Sequence, residues 1–129
     1  MSIKNFEPRG ELTIRTLAMP ADTNPNGDIF GGWLVSQMDL ASSSLAQKVA
    51  KQRVVTVAIN SMTFLSPVKV GDFVCCYAEL IKINRTSMEI NTQAWVLRTP
   101  DQTRHQVTEG IFTFVAIDAD GRPTPVKKA

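Results

Sequence analysis

Between Phe30 and Gln47 the chain carries one charged side chain, Asp39. If residues 32–51 form a helix, Asp39 shares its side with Val35, Ser42, Ser43, Ala46 and Ala50. A helix side in contact with water would carry Glu, Lys and Gln instead. Small residues let another backbone approach closely, so this side is expected to be covered. With one helix in the chain, the expected cover is a second subunit related by two-fold symmetry. A carboxylate stripped of water in such an interface is a candidate general base or nucleophile. The same position also suits a surface aspartate or one bonded structurally within the interface.

Residues 24–32 read NPNGDIFGG and bring Gly31 and Gly32 to the start of that helix. The first N–H groups of a helix lack intrahelical partners, and the dipole there is positive. Glycines let a ligand reach this backbone with no Cβ in the way. Such an end can hold a phosphate, a carboxylate or a carbonyl oxygen developing negative charge. A Gly-Gly pair also serves as plain turn and cap chemistry. Asp39 lies seven residues beyond Gly32, about 10 Å along the axis. That is far for one site, but an antiparallel partner helix would bring its own Asp39 to this N-terminus. The phosphate-loop patterns GxxxxGK[ST] and GxGxxG are absent.

The elements that must position these groups follow from periodicity. The 129 residues suit one domain, with a folded core over about 11–118 and polar ends expected to be loosely held. Glu11–Leu17 alternates as a strand, and MPADTNPNGD after it is a loop. Leu34, Met38, Ala41 and Leu45 recur at spacings of 4, 3 and 4, the core stripe of a helix over 32–51. Strands are predicted over 54–61, 72–83, 87–97 and 107–117, with Asn84-Arg85-Thr86 as a hairpin connection and 99–105 as a loop. Short connections make the strands antiparallel. The economical solution is an α+β domain whose curled sheet wraps the single helix.

Composition excludes other classes. Hydrophobic residues are 43% and charged residues 20%, ordinary for a globular chain. The longest apolar run, 73–78, is far short of the roughly 18 residues of a membrane helix, and no apolar signal segment opens the chain. A net charge of +2 is too small to imply nucleic acid. Cys75 and Cys76 are adjacent, point to opposite strand faces, and read as reduced packing thiols of a cytoplasmic protein. Lys127 and Lys128 read as a solvated tail.

The stretch NGDIFGGWLVSQMD, with Asp22-Thr23-Asn24 before it, resembles the hotdog-fold acyl-CoA thioesterases, most closely the small bacterial YciA-type hydrolases. VVTVAINSMTFLSPVKVGD and VCCY are similar to the same group, so the likeness spans about residues 11–118. It implies a five-stranded antiparallel sheet around one long helix, dimerising and often assembling to tetramers or hexamers. It also implies hydrolysis of an acyl-CoA thioester to free acid and CoA, with no metal or other cofactor. Asp39 matches the family's catalytic carboxylate, acting as base or nucleophile. Asn24 matches an asparagine that positions water or thioester from the other subunit, and the Gly32 N–H matches the donor to the thioester oxygen. Some relatives carry His where Phe30 stands, so a His-dependent variant is excluded at this position.

For CoA itself, Arg85, Thr86 and Ser87 offer a cation and two hydroxyls to phosphate, although exposed hairpins often look like this. The backbone of Val55, Thr56 and Val57 could meet the pantetheine arm. Phe30, Trp33 and Phe64 are candidates for an acyl pocket, with core packing the alternative for Trp33 and Phe64. Asp28 reads as loop structure or a cap, and His105 as a surface loop residue. Two other functions stay open. A non-catalytic acyl-CoA sensor would be expected to carry an appended DNA-binding segment. An enoyl-CoA hydratase would need a His where Gly27 stands.

Overall fold

Leu34, Met38, Ala41 and Leu45 become the buried stripe of helix α1 (Gly31–Ala50) in a computed structural model that describes residues 7–99 and 102–126. Strands β1 (Glu11–Leu17), β2 (Arg53–Asn60), β3 (Phe73–Ile83), β4 (Ser87–Arg98) and β5 (Thr103–Ile117) surround it. They form one antiparallel sheet in the order β1-β3-β4-β5-β2, so β1 and β2 are the edges. Met88, Ile90, Thr92 and Ala94 of β4 and Phe112, Phe114 and Ala116 of β5 face the helix and are fully buried. Among the described residues no helix is long and apolar enough to cross a membrane.

The helix runs antiparallel to β1. Thr16 Oγ1 donates to Gln37 Oε1 at 2.8 Å, Thr13 Oγ1 donates to the Ala41 carbonyl at 3.1 Å, and Lys48 pairs with Glu11 at 3.1 Å. The N-terminus of α1 therefore lies at the end of the sheet where β1 stops and β3 begins. The β3–β4 hairpin lies at the other end, about 34 Å away along β3.

Four expectations are corrected. The sheet covers more of the helix than one apolar stripe suggests: Ser42, Ala46 and Ala50 are fully buried within the same chain. Ser42 Oγ shares a 2.5 Å hydrogen bond with Thr92 Oγ1. Beyond its first two glycines, the helix stays exposed along the arc of Ser36, Leu40, Ser44, Gln47 and Lys48, and Asp39 and Ser43 stand half-buried at its border. β5 begins at Thr103 rather than 107, so His105 is an exposed strand residue opposite Val96, not a loop residue. The described parts of the two ends are not loose. Arg9 bonds Gln93 and Glu79, while Val126 enters the core and donates its N–H to the Arg85 carbonyl at 2.8 Å. Finally, residues 20–22 form a single 3-10 turn inside the predicted loop. Lys127 and Lys128 lie outside the described residues.

Cys75 and Cys76 are free and buried. Burial, reinforced by the neighbouring Cys75 sulfur, pushes the Cys76 thiol up to about 12, and thiolate chemistry is suppressed there.

Candidate active site

α1 starts without a cap. Its N-cap residue is Phe30, which offers no side-chain acceptor, and the first turn holds no acidic residue. Trp33 and Leu34 donate their N–H groups to the Phe30 carbonyl at 3.2 and 3.4 Å. The N–H groups of Gly31 and Gly32 donate to no acceptor among the described residues. Two donors at the positive end of a 20-residue helix are thus left for something outside the chain.

Beside them opens a cavity of about 360 Å³. Gly31 forms part of its wall, Ile29, Leu34 and Val107 line its buried side, and residues 64–68 close it opposite. A Cβ on Gly31 would come within 3.3 Å of the Phe64 ring, so glycine keeps the passage between them open.

The segment 64–68 belongs to no strand, and four contacts hold it. Leu65 N–H donates to the Val107 carbonyl at 2.6 Å and Ser66 Oγ to the Gln106 carbonyl at 3.2 Å. Ile29 N–H donates to the Val68 carbonyl at 3.1 Å, tying the segment to the loop ahead of α1. Arg98 Nη2 reaches the Pro67 carbonyl at 3.4 Å. Arg98 also grips Asp72 through Nε at 3.0 Å and Nη2 at 2.8 Å, while the Lys69 N–H donates to the same carboxylate at 2.9 Å. Burial works to raise the Asp72 pKa. The Arg98 and Lys69 hydrogen bonds, with the charges of Arg98 and His105, outweigh it and hold the carboxyl below its ordinary range.

Asn24 shapes the loop before the helix. Its Oδ1 accepts from the N–H groups of Asn26 at 2.9 Å and Asp28 at 3.1 Å. With the oxygen occupied, what Asn24 can offer a bound molecule is the Nδ2 donor. Asp28 is loop structure, as one expectation had it, but not a cap. Its carboxylate pairs with Lys69 at 2.8 Å and joins the loop to the base of the cavity wall.

Asp39 sits eight residues beyond Gly31, about 12 Å along the helix. Thr56 Oγ1 of β2 donates to Asp39 Oδ1 at 2.7 Å, leaving Oδ2 with no partner among the described residues. Within one protomer nothing described joins Asp39 to Asn24 or to the glycine donors. The carboxylate faces the uncovered arc of α1 beside an edge strand, β2, whose outer backbone groups have no strand neighbour. Val55, Val57 and Ile59 of that strand are exposed, and an apolar edge of this kind is a pairing surface.

The thioesterase superfamily profile matches residues 26–99, from the Asn24 loop through β4. The acyl-CoA thioester hydrolase YciA of Salmonella typhimurium is 54% identical over 129 residues, covering 98% of this chain and 97% of its own. The chain belongs to the thioesterase superfamily. Among solved structures, a hexameric thioesterase from Yersinia pestis superposes with a TM-score of 0.91 at 53% identity, over 95% of this chain and 100% of that one. A hexameric hotdog-fold thioesterase of Campylobacter jejuni gives 0.86 at 36% identity, over 92% and 91%. Five antiparallel strands around one long helix are the hotdog fold expected from the resemblance.

The remaining sequence candidates of this thioesterase fall into three groups. Phe64 lines the cavity beside Gly31, whereas Phe30 and Trp33 do not. Phe30 is exposed with its ring against Gly32, and Trp33 packs on the core. They miss the cavity because residues 30, 33 and 34 of a helix start point in different directions, and Leu34 takes the inward one. Arg85, Thr86 and Ser87 lie at the opposite end of the sheet from Gly31, and Ser87 Oγ already accepts from Asn84 Nδ2 at 3.1 Å. Val55 and Val57 sit on the free edge, but Thr56 turns its hydroxyl to Asp39, a role the sequence did not signal. The cavity residues Leu34, Leu65, Val68 and Val107 also escaped notice, since apolar residues in strand-like and helical runs read as ordinary core.

Proposed function

We propose that this protein hydrolyses acyl-CoA thioesters to a free acid and CoA, at sites shared between two subunits. The observation that carries the reading is the uncapped start of α1, with unclaimed Gly31 and Gly32 donors opening onto an apolar cavity. The relatives support it: one is named an acyl-CoA thioester hydrolase at 54% identity, and the solved thioesterases of Yersinia pestis and Campylobacter jejuni are hexameric.

In the proposed mechanism the thioester oxygen rests on the helix N–H groups. Gly31, which lines the cavity, is better placed for this than Gly32, which backs onto Phe30. Asn24 Nδ2 supplies a further donor to the oxygen or to the attacking water. A second subunit, its helix antiparallel to this one and crossing it near Ser36, at the N-terminal end of the exposed arc, brings its Asp39 to this end. Asp39 Oδ2 takes a proton from water as its oxygen attacks the carbonyl carbon. The tetrahedral intermediate then breaks its C–S bond, and the proton passes to the leaving CoA sulfur. Thr56 holds the carboxylate by its other oxygen. No metal or cofactor takes part in this scheme, and CoA is the leaving group. The same antiparallel pairing carries the partner's hairpin toward this end, where its cation and hydroxyls can meet CoA phosphates. Free Cys75 and Cys76 favour a reducing, cytoplasmic setting.

The test is release of free thiol from acetyl-, butyryl- and longer acyl-CoA; no release at any length would leave a binding module. Asn24→Ala is expected to lower the rate strongly. Mixing it with Asp39→Ala under subunit exchange should restore part of the activity, because one of the two site types in a mixed dimer is intact. A mixture as inactive as its parents would place the site within one chain. Thr56→Val is expected to lower kcat roughly tenfold with little change in KM, the scale of one hydrogen bond to a charged group. An unchanged kcat would remove Thr56 from the scheme.

A further inference from the structure

Residues 24–28 close on themselves. Asn24 N–H donates to the Asp28 carbonyl at 2.7 Å, and Gly27 N–H donates to the Asn24 carbonyl at 3.0 Å. Asn24 Oδ1 accepts from the N–H groups of Asn26 and Asp28. Asp28 thus bonds Asn24 through both of its backbone groups, and where Asp28 goes the Asn24 carboxamide follows. Among the described residues, one hydrogen bond leaves this unit: Lys69 Nζ donates to Asp28 Oδ1 at 2.8 Å.

Lys69 reaches Asp28 from a fixed base. Its N–H donates to the Asp72 carboxylate at 2.9 Å, and its carbonyl accepts from the Asp72 N–H at 3.0 Å. Arg98 of β4 holds that carboxylate in turn. The Lys69 and Asp28 side chains are 53% and 39% exposed, and an ion pair so open to water adds little to stability. What it adds is a lateral tie to a unit whose other hydrogen bonds are all internal.

We infer that Lys69 is a positioning residue: through Asp28 it aims the Asn24 Nδ2 donor at the reacting group. The inference rests on the acyl-CoA hydrolase reading and adds to it a residue that acts through another. A misplacement of about 1 Å costs on the order of 100-fold in rate. Loss of an exposed ion pair, by contrast, lowers Tm by about 3 °C at most.

The experiment is steady-state thiol release by the assembled protein, with whichever acyl-CoA the unmutated protein cleaves fastest. Lys69→Met is expected to lower kcat by about 10- to 100-fold, with KM within about threefold and Tm within about 3 °C. Lys69→Arg keeps a cation within reach of Asp28 and should regain most of kcat. The deciding measurement is a double variant. With Asn24→Ala already in place, Lys69→Met is expected to change kcat by less than about twofold, because the group it aims is gone. The same loss with and without Asn24 would show a general effect on the fold and overturn the inference. An unchanged kcat in Lys69→Met, or a Lys69→Arg no faster than Lys69→Met, overturns it as well. So does a rise in KM alone, which would place the ammonium on the charged CoA arm. Thiol release with Lys69→Met unaffected removes the positioning role and keeps the hydrolase. No release from any acyl-CoA removes both.

Discussion

Replacing Asp39 by alanine is expected to lower thiol release from acyl-CoA by about 100- to 10,000-fold while leaving the protein folded and assembled. The magnitude is that of a misplaced or missing general base. The fold survives because Asp39 is half-buried at the border of the exposed arc, and alanine is the best helix former. The Thr56 hydroxyl loses its partner, but it stands exposed on an edge strand where water replaces the bond. The change in stability should therefore stay within about 1 kcal/mol. Asp39→Asn is the sharper control, since it keeps an oxygen for Thr56 and removes only the basicity. Thermal unfolding followed beside the thiol assay separates the two effects. A variant that keeps its rate within tenfold would show that the proton goes elsewhere.

The second large effect is on stability. Arg98→Ala is expected to cost about 3 kcal/mol, because it strands Asp72, 2% exposed, with the Lys69 N–H as its remaining partner. For a chain of this size that is a fall of roughly 10 °C in Tm. The pH dependence has a definite sign. Asp72 is held below its unfolded value of about 3.9, so the pair stabilises fully above that pH. That contribution drains away as pH falls through the lower, folded value. The difference in Tm between the unmutated protein and Arg98→Ala should thus be large at neutral pH and shrink as pH falls below the ordinary carboxylate range. A constant difference would assign the cost to lost packing of the Arg98 side chain. Arg98→Lys should recover only part, since a lysine cannot reproduce the two-pronged grip.

Much of this architecture can be read from spacing alone. The Leu34–Met38–Ala41–Leu45 stripe marks one helix, and alternation with turn residues marks the strands around it. What spacing cannot convey is how far the sheet curls. Ser42, Ala46 and Ala50 looked like a surface awaiting a second subunit, yet their own strands cover them, and the open face is the arc around Leu40. The start of β5 was hidden because Thr103, Arg104 and His105 are polar strand residues on an exposed stretch. At the site, Asp39 and the glycines stood out because each is odd for its element, whereas Asn24, ordinary in a loop, was marked only by the family resemblance. The Asp72–Arg98 grip joins positions 26 apart, and neither partner is unusual where it stands. The cavity arises from the path of residues 64–68, which no local pattern encodes.

The bare beginning of α1 has an evolutionary cost and a practical one. An aspartate or serine in place of Phe30 would accept from the Gly32 N–H, next to the Gly31 donor, and strengthen the helix by about 0.5–2 kcal/mol. A screen that rewards heat tolerance alone should therefore select that replacement early, and in doing so set the protein's own oxygen beside the oxyanion seat. Robustness and turnover compete here for the same turn of helix.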